Sequence, residues 1–282
     1  MKRFAAAFAA LAVLMLPAPA LAENVLTLHC SKLSHSRQVD PIVSPGVEPS
    51  AHMHDFFGSD ATDAFSTADT LQGTTSSCGT IGDTAGYWFP QPTWNGAPTL
   101  SINLGEYWQR PTGVTVQAPP HGMTFVAGNS HATTPSENPH LGWSCGNGVE
   151  TATPRDCTTS SGGSVTLTAD LIFPECWDGT TTFDTPAGIA PTHFAYPVSA
   201  KVCPTGFPVH IARLAVHIHF RDPATGKQVI NPFNADGSLA LGFSSGAFYT
   251  YHGDFLNGWD QPALVNLIDG CVNAQFPCPP HV

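Results

Sequence analysis

Apolar and polar residues alternate along short stretches of this chain, and few stretches carry a helical period. In "RLAVHIHF", Leu214, Val216, Ile218 and Phe220 point one way while Ala215, His217 and His219 point the other, the period-two pattern of a strand with one face on a core. "SVTLTADLIF" at 164–173 repeats the pattern with Val165, Leu167, Ala169 and Leu171, and turn residues such as Pro174 and Gly179 follow it. Helical spacing is confined to "DQPALVNLIDGC" at 260–271. Asp260 is the expected cap there, Pro262 sits in the first turn, and Leu264, Leu267 and Ile268 share a side before Gly270. The pattern predicts a mainly β chain: a sandwich or jelly roll with long loops and one short C-terminal helix. With no internal repeat and no low-complexity linker, residues 23–282 read as one domain.

The first 22 residues differ from the rest. Lys2 and Arg3 precede an apolar run from Phe4 to Leu16 that closes on Ala20-Leu21-Ala22, the layout of a secretory signal peptide with a mature start at Glu23. The run is too short to cross a bilayer, so membrane insertion is not expected. Without Lys2 and Arg3 the chain holds 8 basic against 21 acidic residues, a net charge of −13, which argues against nucleic acid or anionic membrane as partner. All eight cysteines follow the leader and none has C-x-x-C spacing. In an oxidising compartment they read as four disulfides. Chain order and local loops favour 30–78, 145–157, 176–203 and 271–278, the two short loops most strongly.

Chemistry-bearing residues gather in three stretches. In "AHMHDFFG" at 51–58, an extended backbone puts His52 and His54 on one face with Cβ atoms about 7 Å apart, close enough for both imidazoles to reach one metal ion. An ordinary polar strand face would look the same. "YHGDFLNGWD" at 251–260 offers His252, Asp254, Asn257, Trp259 and Asp260, as a pocket wall or as a self-bonded loop. "FPECWDG" at 173–179 and "THFAYP" at 192–197 add Glu175, Trp177, Asp178, His193 and Tyr196, of which Trp177 and Tyr196 read best as core aromatics with a polar handle. G-x-S-x-G, H-E-x-x-H, P-loop and dinucleotide signatures are absent.

Taken in order, "DPIVSPG", "HMHDFFG", "YWFPQ", "FPECWDG", "THFAYP" and "HGDFLNGWD" resemble the secreted bacterial and fungal family of domain of unknown function 1996 (DUF1996), over about residues 29 to 271. That family confers no activity by itself. The resemblance implies export and, through chimeras with wall-binding modules, a polysaccharide or cell-wall context by association. Its motif positions fall on His52, His54, Asp55, Trp177, Asp178, His193, His252, Asp254, Trp259 and Asp260, while His210, His217 and His219 lie outside the shared pattern.

The expectation drawn from these residues is a pocket in which His52, His54, His193 and His252 hold one divalent zinc, copper, manganese or iron ion. His54, His252, Asp254 and Asp260 would carry catalysis, and Trp177, Asp178 and Trp259 would contact a sugar-like substrate. Two other readings use the same residues: metal-free acid and base work by a histidine with Asp254 or Asp260, and a carbohydrate- or surface-binding module without catalysis.

Overall fold

The structure, a computed structural model, describes residues 25–50, 52–146, 148–159, 165–183, 192–274 and Cys278. The expected leader and Glu23 lie outside the described residues. Strand accounts for 34% of the chain and helix for 9%, so the alternating pattern governs the fold.

Ten strands form two five-stranded antiparallel sheets: β1 (Leu26–Cys30), β2 (His35–Arg37), β3 (His54–Gly58), β4 (Gly86–Pro90), β5 (Ser101–Gln109), β6 (Thr124–Gly128), β7 (Leu141–Ser144), β8 (Thr168–Ile172), β9 (Arg213–Phe220) and β10 (His252–Leu256). The first sheet runs β1-β5-β9-β8-β7 and the second β2-β3-β4-β10-β6. Their inner faces share one core: Leu104, Trp108, Val216, Ile218 and Leu171 from the first meet Phe57, Tyr87, Phe89, Phe125 and Phe255 from the second. Trp108 lies 5.9 Å from Phe255 and Phe220 lies 5.8 Å from Tyr251, ring to ring across the sandwich. Burying each such side chain stabilises the fold by roughly 1.5–3 kcal/mol.

"RLAVHIHF" is β9 from end to end, with Leu214, Val216, Ile218 and Phe220 buried. The "SVTLTADLIF" strand is shorter than its pattern. It begins at Thr168, and Val165 is left exposed because pairing with β7 and β9 starts only there. The predicted helix, α2, spans Gln261–Leu267, with the Asp260 side chain accepting from Ala263 N and Leu264 buried. A four-residue helix, α1 (Ala68–Leu71), capped by Thr67, carries no sequence signal noted above. All four disulfides pair as the loops suggested: Cys30–Cys78, Cys145–Cys157, Cys176–Cys203 and Cys271–Cys278.

The outer face of the second sheet is also covered. The segment 38–50, closed by a hydrogen bond from Ser50 N to Gln38 O (2.8 Å), lays Val39 and Ile42 on Phe56, Trp88 and Leu256 in a second apolar cluster. Asp40 shapes that segment by accepting from Ile42 N and Val43 N (3.0 and 2.9 Å). This strap roofs the site described next.

Candidate metal centre

Strand alternation sorts "HDFFG" and "HGDFL" by face. On β3, Phe57 enters the main core while His54 and Phe56 face the strap; on β10, Phe255 enters the core while His252, Asp254 and Leu256 face the strap. The register places Phe56, Trp88 and Asp254 in one row across β3, β4 and β10. Gly253 separates the two outward residues of β10 because the sheets approach there. A Cβ at this position would overlap the Phe89 ring and lie 2.9 Å from Leu171.

The three imidazoles meet at this face. Ring centroids of His52 and His54 are 4.3 Å apart, those of His52 and His252 5.0 Å, and those of His54 and His252 5.9 Å. Ser244 Oγ and Gln91 N both donate to Met53 O (2.6 and 2.9 Å), which pins the segment carrying His52.

Two backbone carbonyls set the tautomers. His54 Nδ1–H donates to Val39 O and His252 Nδ1–H to Thr250 O, each at 2.9 Å, so in the neutral rings both Nε2 atoms carry lone pairs. His54 Nε2 is buried without a hydrogen-bond partner. His52 Nε2 stands 3.2 Å from His252 Nε2, close to the ~3.3 Å that two nitrogens subtend at an ion with bonds of 2.0–2.1 Å in tetrahedral geometry. When His52 keeps its proton on Nε2, the same contact is a hydrogen bond. Burial holds His52 down to about 4 and His252 to about 3, and burial together with His52 and His252 holds His54 well below the usual range. All three are therefore neutral imidazoles at physiological pH, the form a metal ion requires of its ligands.

Asp40, His54 and Asp254 form an adjoining group whose candidate ligand atoms lie within 4.8 Å of one another. Asp254 is buried with neither carboxyl oxygen hydrogen-bonded, and burial, then the proximity of Asp40, pushes it well above its usual range. Burial likewise raises Asp40. Among the described ion pairs none brings Lys or Arg to either acid. A buried carboxyl with neither hydrogen bond nor cation, as at Asp254, is costly. Two other groupings, Cys30, Cys78, Asp83 and Glu106, and Cys176, Cys203 and His210, contain disulfide sulfurs, which are not thiolate ligands.

The remaining expected site residues stand elsewhere. His193 does not join the centre: its Nε2 bonds Thr124 O (2.9 Å) at one end of β6, whereas His252 pairs with Gly128 at the other, roughly 13 Å along the strand. Asp260 is the exposed cap of α2 rather than an acid of the pocket. Trp259 is fully buried and donates Nε1–H to Tyr87 Oη (3.1 Å). Trp177 is 8% exposed and donates Nε1–H to Thr181 O, so neither indole offers an open face to a substrate, while the partly exposed Asp178 accepts from Thr180 N and Thr181 N in a turn. Asp55 points away from its histidine neighbours and accepts from Ser101 N (2.7 Å), Ser36 Oγ (2.6 Å) and Gln91 Nε2 (3.2 Å), tying β3 to the first sheet.

Sequence reading missed Asp40 as a site residue, since an acid before Pro41 reads as a turn, and it does make one. It missed a buried acid pair too. Tyr87 Oη donates to Glu106 Oε2 (2.8 Å) and lies 3.2 Å from Asp83 Oδ1, and no local signal marks Glu106 as inward-facing except the apolar Leu104 and Trp108 that flank it at period two.

No curated protein and no solved structure matches the chain. The motifs that build the strap and the centre, from Asp40 to Trp259, coincide with the 40–259 span over which the match to "Domain of unknown function (DUF1996)" extends, and the chain belongs to that family.

Proposed function

We propose that this chain is an exported metalloprotein that holds one divalent transition metal ion through His52, His54 and His252. The observation that carries the reading is the convergence of three neutral imidazoles, two of them with Nδ1 tied to backbone carbonyls and one with Nε2 buried and unpartnered. Three nitrogen donors beside a carboxyl suit zinc or copper, and less well manganese or iron, which favour more oxygen. Export is supported by the leader-like start and by the paired cysteines.

With three ligands from the protein, a fourth position remains for water or substrate, and an ion there would supply Lewis acidity. His52 is the only partly exposed member of the three, so solvent would reach such an ion from its side. Asp254, whose carboxyl burial raises well above its usual range, lies beside His54, and an acid so placed supports hydrolytic chemistry at an acyl or glycosidic oxygen. A cell-wall or polysaccharide substrate remains the context suggested by the family resemblance. A carbohydrate-binding module without a metal loses its main support, because Trp177 and Trp259 are internal.

Elemental analysis of untagged protein tests the reading. At least one equivalent of zinc or copper, with one equivalent lost in His54→Ala and in His252→Ala, is the expected result. Metal-free protein that gains no stability from either ion would overturn it.

A further inference from the structure

The outer face of the first sheet carries a second cluster of titratable groups. One row across it reads Gly105 on β5, His217 on β9, Asp170 on β8 and Gly142 on β7. Gly105 and Gly142 flank His217 and Asp170 without side chains, the row going on past Gly105 to His29 on β1, and the pair lies under a cavity of about 280 Å³ lined also by Tyr107, Glu150, Thr168 and His219. No lysine or arginine lines it.

Asp170 is 4% exposed, yet its Oδ1 has no hydrogen-bond partner and lies 3.3 Å from His217 Nε2. That separation again matches two ligand atoms bound to one ion at about 2.0–2.2 Å. Glu150 reaches over the Gly142 gap: a Cβ at residue 142 would lie 2.6 Å from its Oε2, so only glycine admits the carboxylate there. Glu150 is exposed and lines the same cavity as Asp170 and His217, and the site requires its carboxylate to swing toward Asp170 on the adjacent strand. His219 is not available as a ligand, since Nδ1 bonds Asn103 Oδ1 (2.8 Å) and Nε2 bonds Thr168 Oγ1 (3.2 Å).

The geometry points to a second divalent-cation site in which His217 Nε2, Asp170 Oδ1 and Glu150 are the protein ligands, with water filling the rest of the cavity. Burial and Glu150 push Asp170 up to about 7, despite a hydrogen bond from Ser144 that lowers it. Burial keeps His217 neutral, lowered to about 4, so its lone pair is free for a metal. With one imidazole and two carboxylates this site takes harder ions, manganese as well as zinc, than the three-histidine centre.

Calorimetric titration of chelator-stripped, untagged protein with Zn²⁺ and with Mn²⁺ tests it. Two equivalents of Zn²⁺ are expected in the wild type. One is lost in Asp170→Asn and in His217→Ala, and the other is lost in His252→Ala. Asn matches the carboxyl in shape without its charge, so Asp170→Asn retains the wild-type melting temperature, and the half-exposed His217→Ala provides an independent arm. A wild type that binds one equivalent, lost only in His252→Ala, overturns the second site and leaves the first. One equivalent lost only in Asp170→Asn and His217→Ala does the reverse. Two equivalents retained by both of those variants also overturn the assignment.

Discussion

His52 Nε2 and His252 Nε2 stand 3.2 Å apart, although 200 residues separate them along the chain. No loop joins them directly. β3 and β10 flank β4 in the second sheet, and alternation turns their first outward residues toward the same strap.

Zinc should raise the melting temperature of the wild type. An ion present at a hundredfold excess over its dissociation constant adds about 2.7 kcal/mol, worth several degrees for a chain of this size. His54→Ala and His252→Ala should lose that shift. Trp177→Ala should melt lower by roughly 3–5 kcal/mol and keep it, because its indole packs in the main core away from the centre. Differential scanning calorimetry with and without chelator reads both effects.

Asp55→Ala should destabilise the fold by roughly 2–4 kcal/mol while zinc still binds. The carboxyl accepts three hydrogen bonds, and its loss strands Ser101 N in a buried setting. Urea unfolding, paired with a zinc titration, separates this neighbour of His54 from the metal ligand itself.

Asp260→Ala should cost about 1 kcal/mol, the usual penalty for losing an N-cap, and leave metal binding unchanged. A drop in metal affinity would place Asp260 back in the site.

Glu106→Gln should flatten part of the pH profile of stability. Burial raises Glu106 to about 7, and burial together with Glu106 raises Asp83 well above its usual range. Because the folded pKa lies above the unfolded one, the folded state binds the proton more tightly. The contribution is therefore fully present below about pH 4.5 and is lost as pH rises toward 7, by roughly 1.4 kcal/mol per pH unit. Buried histidines act in the opposite sense as pH falls, so the quantity to measure is the difference between variant and wild type. That difference should favour the variant increasingly between about pH 5 and 7, since Gln keeps an acceptor for Tyr87 and carries no charge.

Sequence alone determined the fold class, the limits of β9, the start of α2 at its Asp260 cap, and the short-loop disulfides Cys145–Cys157 and Cys271–Cys278, since each depends on local period, a cap or a short loop. It also marked His52, His54 and His252, because H-x-H and H-G-D on extended chain present side chains to one face. Which strands became neighbours was decided by tertiary structure. That choice admitted His252 and excluded His193, which bears the same kind of motif but sits by the far end of β6. It also turned Trp259 inward onto Tyr87, brought Asp40 over the sheet as part of the strap, and set His217 against Asp170. Periodicity states which face of its own strand a residue occupies. Whether that face meets core, strap or solvent depends on the other strands, which pair between residues as far apart as Gly86 and Leu256 through hydrogen bonds indifferent to side-chain identity.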